Sequence, residues 1–334
     1  MLPGLTLEHP NYPLVAPFRI SRGVRTATEV VVATVSDGTH VGRGESLPYP
    51  RYGESVESVM AQVASLADAV AGGLDRQQLQ ERLDPGAARN ALDCALWDLQ
   101  ARRGATCVAS QLGHSSILPP LASAHTVSLD TPANMAHAAK ALRRLKLVKI
   151  KLDADDPATR IRAVRGQLPD ARLIVDPNES WNIDLLRALQ PVLAETRVDL
   201  IEQPLPAGED DALQGFESVS RLCADESCHV AADLPRLRGR YQVVNIKLDK
   251  TGGLTAALDL LHAAQAQGFG IMVGCMIGSS LAMAPAWHVA RHAEFVDLDG
   301  PLWLRDDHAG GVVMRDGLLQ PPSPLLWGNP IAAT

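Results

Sequence analysis

From Ala124 onward, short apolar runs recur along the chain and each closes on polar residues: AHTVSL, LVKIK, RLIVD, DLIE, LCADE, VVNIK, GIMVGC and EFVDLD. Marked at Thr126, Lys151, Asp176, Glu202, Asp225, Lys247, Cys275 and Asp297, they follow one another at steps of 22 to 28 residues. A strand, a loop and a returning helix consume about that length, so the pattern is a series of βα units with parallel pairing. Between the runs, MAHAAKALRRL, ATRIRAVRGQL, DLLRALQPVLAE and LTAALDLLHAAQAQ each carry an apolar helical face. Eight such strands with intervening helices form either a doubly wound open sheet or a closed (β/α)8-like barrel. Even spacing, with chemistry at nearly every strand end, favours the barrel.

The chain before about residue 115 follows another pattern. TEVVVATVSDGTHVGRGES predicts an antiparallel hairpin, and ESVESVMAQVASLADAVAG and AARNALDCALWDLQARRG predict amphipathic helices. Residues 1–115 are therefore expected to form a separate α+β domain, 116–310 the barrel, and 311–334 a segment returning to the first domain. GRGES resembles part of a dinucleotide loop, but it lacks a third glycine and runs into Pro48 rather than a helix. Residues 268–290 hold no Asp, Glu, Lys or Arg, yet Gly274, Gly278, Ser279, Ser280 and Pro285 punctuate them. A buried strand, a loop and a helix fit better than a membrane span.

Composition narrows the class. With 334 residues and 46% hydrophobic content, the chain can bury a large core. The formal charge is -7, and its 31 basic and 38 acidic residues are dispersed, which excludes a phosphate-neutralising stripe and with it nucleic acid as a partner. The opening MLPGLTLEHPNYPLVAP has no basic segment followed by an apolar one, so a cytoplasmic location is expected. Cys94, Cys107, Cys223, Cys228 and Cys275 form an odd set without framework spacing, which suits reduced thiols. CADESCH lacks the paired ligand spacing of a zinc site.

The chemistry lies at the strand ends. In a barrel these converge on one mouth, and here they collect Lys149 and Lys151, then Asp176, Glu202 and Asp225, then Lys247. A single strand-end charge is ordinarily a solvated loop residue. Three neighbouring carboxylates repel unless a hard cation neutralises them, and oxygen-only ligands point to magnesium or manganese. Amines on both sides of such a cation can remove a proton from one face of a carbon and return one to the other.

KIK at Lys149 to Lys151, DPNESW from Asp176, IEQP around Glu202, ADES with Asp225 and Glu226, and NIKLDKTGG around Lys247 together resemble the muconate-lactonizing branch of the enolase superfamily. The resemblance covers nearly the whole chain. It implies an α/β fold, a modified TIM (β/α)7β barrel closed by an α+β capping domain, and assembly into a homo-oligomer. It implies one Mg2+ per active site, with Mn2+ as a substitute, held by Asp176, Glu202 and Asp225. Lys151 and Lys247 become the two bases, with Lys149, Asn178 and Glu226 in support. Lysine is ordinarily near pKa ~10.4 and has to be lowered to act as a base at neutral pH; the metal and the neighbouring Lys149 are expected to do so. Two opposed lysines imply inversion at carbon, that is, a racemase or epimerase.

The substrate is a small molecule, a dipeptide or an N-acyl amino acid. DLDGP, with Asp297 and Asp299 on one side of a strand, resembles the Asp-x-Asp element with which dipeptide epimerases cradle a free ammonium. From the capping domain, the loops PFRISRGVR and PYPRYGES bring Arg19, Arg22 and Arg25 as candidates for a second carboxylate, Arg22 and Arg25 ranked first, so a glutamyl residue is expected. Thr126, Cys275 and Met276 are expected on the pocket wall. So is Asp249, two residues beyond Lys247. Pro177, the GCMIGSS stretch and the FRISRG opening resemble the branch that racemises N-acetyl-glutamate, which stays open beside an L-Ala-Glu dipeptide. A β-elimination as in o-succinylbenzoate synthase uses the same lysines and metal, and a silent scaffold has no need of five gathered charges.

Overall fold

The computed structural model describes residues 4–104 and 106–330. Residues 1–3, 105 and 331–334, which belong to the expected first and third segments, lie outside the described residues.

The capping region opens with β1 (Gly4–Glu8), β2 (Asn11–Ile20), β3 (Gly23–Glu29), β4 (Val31–Ser36) and β5 (Val41–Ser46). Strands β1, β4 and β5 form an antiparallel sheet, and β2 pairs with β3 as a separate hairpin. PFRISRGVR therefore folds as two paired strands around a tight turn, not as a loop, because it alternates enough to satisfy a partner strand. The helix Ala87–Arg103 lies against β5. A Cβ on Gly42 or Gly44 would stand 2.2 Å from the helix carbonyls of Ala95 or Ala91. The glycines of GRGES thus allow a close helix–sheet approach and cradle no phosphate.

Eight parallel strands follow: β6 (His125–Val127), β7 (Leu147–Lys151), β8 (Arg172–Asp176), β9 (Leu200–Glu202), β10 (Arg221–Ala224), β11 (Val243–Ile246), β12 (Gly270–Gly274) and β13 (Phe295–Asp297). They pair in sequence order, and a parallel bridge from Ser123 to Val296, with Ala124 N donating to Val296 O at 2.7 Å, closes the cylinder. The uncharged stretch resolves into β12, a loop and the helix Ser280–Ala290. Among the described residues no helix is long and apolar enough to cross a membrane. The unit after β9 departs from the expected pattern: only the 3-10 turn Asp210–Leu213 follows, since two prolines and two glycines in PLPAGEDDALQG break helical continuity.

The strand pleat explains where the chemistry sits. Ala124, Leu147, Ile174, Leu200, Cys223, Val243, Met272 and Phe295, one from each strand or its leading residue, form one apolar cluster inside the barrel. Side chains of a strand repeat every second residue, so the next inward layer is Thr126, Lys149, Asp176, Glu202, Asp225, Asn245, Gly274 and Asp297. Residues between the layers, such as Val148, Val175, Ile201, Ala224 and Val244, join the large core beneath the helices. Downstream, β14 (Val313–Arg315) and β15 (Leu318–Gln320) form a hairpin, and Trp327 donates to Cys94 O at 3.0 Å on the capping helix.

Candidate active site

The polar layer is a buried ion network. Lys149, on β7, lies 2.7 Å from Glu202 Oε2 and 3.0 Å from Asp176 Oδ2, and it donates to Asp297 Oδ2 at 2.8 Å. Lys151, one inward step further along β7, donates to Asp176 Oδ2 at 2.5 Å. Across the barrel Lys247 donates to Asp225 Oδ2 at 2.6 Å. Strands β7 and β11 have three strands between them, so the two lysines rise from opposite walls.

Burial opposes ionisation of all three central carboxylates, and their neighbours decide the outcome. Lys149 and Lys151 hold Asp176 well below the usual carboxylate range, and Lys247 with Lys250 does the same for Asp225. Glu202 stands between those two anions and is pushed up to about 8 by burial and their repulsion. Burial also works to lower Lys247, but Asp225 and Glu202 outweigh it and hold the ammonium above its ordinary value. The expected lowering of a base lysine is therefore not produced at Lys247 by its protein surroundings; the facing carboxylates win.

Could these residues hold a divalent cation? Glu226 Oε2 and Asn178 Oδ1 are buried and accept no hydrogen bond among the described residues, and Glu202 Oε2 and Asp225 Oδ1 meet only lysine ammoniums, each at 2.7 Å, so the oxygens present here are the hard donors a divalent cation takes. That donor set fits magnesium. Among the described residues, however, no three His, Cys, Asp or Glu side chains stand close enough to share an ion. The ammonium of Lys149 lies between Asp176 and Glu202.

Above the network opens a cavity whose walls come from both regions. Thr126, Lys149, Lys151, Asn178, Glu226, Lys247, Cys275, Met276, Asp297 and Asp299 line it from the barrel, and Arg22 and Arg25 from the β2–β3 hairpin. Asp176, Glu202 and Asp225 lie buried in the layer below. Arg19 is not among the lining residues. Burial and Asp297 and Asp299 push the Cys275 thiol well up, so it serves as a neutral wall.

Asp249 departs from expectation. Its Oδ1 accepts from Leu47 N at 3.0 Å and Asn90 Nδ2 at 2.8 Å, both in the capping region, and it lies off the cavity wall. Strand β11 ends at Ile246, Lys247 caps the short helix Leu248–Thr251, and helical rotation carries Asp249 away from the face on which Lys247 points. It is a joint between the two regions.

The arginines differ. Arg22 is engaged: its Nη1 donates to Glu179 Oε2 at 3.0 Å and to Asn178 O at 3.1 Å, and its Nη2 to Glu226 Oε1 at 2.8 Å and to the Tyr49 hydroxyl at 3.0 Å. Asn178 and Glu179 turn toward it with left-handed φ of 46° and 68°. The Arg25 guanidinium meets no carboxylate among the described residues and rests over the Tyr49 ring, 5.2 Å from its centroid. Asp297 keeps its Oδ1 buried without a partner, whereas Asp299 Oδ2 accepts from Thr126 N at 2.8 Å and Trp303 Nε1 at 3.1 Å.

Sequence reasoning missed four residues of note. Tyr49 and Tyr52 line the cavity from the turn Pro50–Tyr52 and its leading residue. Asn245 donates to Glu202 Oε1 at 2.8 Å, and its place two residues after Val243 was a usable signal. Lys250 is fully buried, 2.7 Å from Asp225 Oδ1, and donates to Cys228 O at 2.8 Å and Asn245 O at 3.0 Å.

Known proteins share this arrangement. Residues 4–113 match the family described as mandelate racemase / muconate lactonizing enzyme, N-terminal domain, and residues 133–325 match enolase C-terminal domain-like. The chain is 49% identical over 298 residues to L-Ala-D/L-Glu epimerase of Escherichia coli, covering 89% of this chain and 92% of that one. It is 47% identical over 309 residues to N-acetyl-D-glutamate racemase of a Pseudoalteromonas species, covering 90% and 95%. An enolase family member from Agrobacterium tumefaciens, solved with sodium and L-Ala-L-Glu, superposes with a TM-score of 0.94 at 49% identity, covering 97% of this chain and 99% of that one. A dipeptide epimerase from Methylococcus capsulatus, complexed with Mg and the dipeptide L-Arg-D-Lys, gives 0.85 at 30% identity, covering 95% and 96%. With both regions matched, and two relatives near half identity across about nine-tenths of its length, the chain belongs to the enolase superfamily, in its mandelate racemase and muconate lactonizing enzyme division.

Proposed function

We propose that this enzyme epimerises the glutamyl α-carbon of an L-Ala-Glu type dipeptide, with Lys151 and Lys247 as the two proton-transferring groups. One observation carries the choice of substrate. The cavity wall carries the Asp297 and Asp299 carboxylates on the barrel side and, on the capping side, the Arg25 guanidinium, which meets no carboxylate among the described residues. A ligand with a free ammonium and a side-chain carboxylate satisfies both; an N-acetyl amino acid satisfies only the second.

Asp176, Glu202 and Asp225 are the residues that would hold one divalent cation, magnesium in the first place. Bound there, it supplies a Lewis acid for the carboxylate next to the reacting carbon, easing loss of the α-proton. The chain itself does the rest. Lys151 and Lys247 address opposite faces of the α-carbon, so in each turnover one accepts the proton and the other donates one. Asp297 and Asp299 receive the ammonium. Arg25 takes the γ-carboxylate, and Arg22, tied to Glu179 and Glu226, holds the hairpin over the mouth. Phe18, Ile20 and Ile277 exclude water from the wall between.

The similarity to the Pseudoalteromonas racemase favours N-acetyl-glutamate as a second reading. Incubating the magnesium-loaded enzyme with each compound in deuterated water and following the α-proton by NMR separates them. The proposal predicts faster exchange in L-Ala-L-Glu; faster exchange in N-acetyl-glutamate, or none in either, overturns it.

A further inference from the structure

The Tyr49 ring has an unusual set of constraints for a residue in a surface turn. It is 9% exposed. Its backbone N–H donates to Glu54 Oε2 at 2.9 Å, and the same carboxylate group takes Ala87 N at 2.7 Å, which ties the turn to the long capping helix. Tyr52 meets the ring edge-on at a centroid distance of 5.3 Å. The hydroxyl accepts from Arg22. Backbone, edge and hydroxyl are thus all held, and one ring face carries the guanidinium of Arg25.

A long arginine side chain on a two-stranded hairpin has several rotatable bonds, and among the described residues Arg25 has no ion pair to select among their settings. A fixed aromatic face selects one, because the ring's negative face attracts the cation and its flat surface suits the planar guanidinium. The donor edge then stays free for a ligand.

We infer that Tyr49 is a positioning residue for substrate selection: its ring holds Arg25 in place to bind the acidic side chain of the dipeptide. The inference rests on the acidic-dipeptide reading above. Tyr49 touches the substrate's carboxylate only through Arg25, so its effect belongs to recognition, not to proton transfer.

Steady-state kinetics of wild type, Tyr49→Phe and Tyr49→Leu on L-Ala-L-Glu and its neutral isostere L-Ala-L-Gln test this. Tyr49→Leu also removes the Arg22 contacts to the ring and hydroxyl, which both substrates feel, so the reading is the difference: KM for the glutamyl substrate should rise about 2- to 30-fold more than KM for L-Ala-L-Gln, the range of a cation–π contact. Tyr49→Phe keeps the ring and gives up only the Arg22 bond, so it should retain the preference. Circular dichroism of the same preparation reports folding; if Tyr49→Leu fails there, Tyr49→Met supplies a flexible side chain without a ring face. Equal losses on both substrates, or a Phe variant as impaired as the Leu one, overturn the inference. A wild type without preference for Glu over Gln overturns the acidic-dipeptide reading, and this inference falls with it.

Discussion

The two walls of the cavity obey different rules. On the barrel wall, the lysines and the central carboxylates stand two or four residues beyond a member of the apolar layer, on or just past the end of a strand paired on both sides, and their nearest ion-pair partners lie at 2.5 to 3.0 Å. Backbone hydrogen bonds fix where these groups point. On the capping wall, Arg22, Arg25 and Tyr49 come from a hairpin and a turn, and their positions depend on side-chain contacts across the gap. The first arrangement suits atoms that move a proton, where misplacement by about 1 Å is costly. The second suits recognition, which tolerates motion and admits or rejects side chains.

If that division holds, damage to the barrel wall falls on turnover. Gly274→Ala is the sharpest case, because its Cβ would stand 2.8 Å from Asn245 Nδ2 and 3.0 Å from Lys247 Cε. Pushing Lys247 aside should lower kcat about 100-fold, read in a steady-state assay, with the secondary structure intact by circular dichroism. Damage to the capping wall falls on affinity. Arg25→Ala should raise KM for L-Ala-L-Glu about tenfold or somewhat more, the value of a charge-assisted pair, while kcat changes little. A fall in kcat alone would erase the distinction.

Asp249 belongs to neither wall and should show a third behaviour. Replacing it with Ala leaves Leu47 N and Asn90 Nδ2 without their buried acceptor. Loss of about 1–3 kcal/mol of unfolding free energy is expected in urea titration, with KM preserved. The smallest effect concerns pH. Burial raises the Asp249 carboxyl from its ordinary 3.8 to about 7. A raised acid stabilises the fold in its neutral form, so its contribution is complete below the unfolded value and is lost as pH climbs through about 7. Asp249→Asn keeps the acceptor oxygen and cannot ionise, so the decline of Tm between about pH 4 and 7, the range spanned by the shift, should be shallower than in wild type.

Much of this was readable in the chain, for a physical reason. Period-2 alternation and repeat length expose parallel strands, and the last residue of each inward row names the mouth, so Lys149, Lys151, Asp176, Glu202, Asp225 and Asp297 follow from the pattern. The same rule fails once the chain leaves the strand for a helix, which is how Asp249, three residues past the end of β11, was misjudged. Asn245 followed the rule but carried no charge to draw notice. Tyr49 had no periodic signal, since a turn residue's neighbours are set by tertiary contacts between segments far apart in sequence. Arg22 and Arg25 were legible as charges, yet their division into anchor and free guanidinium depended on Glu179, Glu226 and the Tyr49 ring.

The central claim is that Lys151 and Lys247 serve opposite faces of one carbon. Deuterium exchange tests it directly, with Lys151→Ala and Lys247→Ala each given L-Ala-L-Glu and L-Ala-D-Glu separately in deuterated water. Both variants should lose epimerisation by about 10²- to 10⁴-fold, the contribution of a positioned base or acid. Each should still exchange the α-proton of one epimer, and of opposite epimers. Exchange of the same epimer in both variants, or epimerisation that survives either change, would contradict the account.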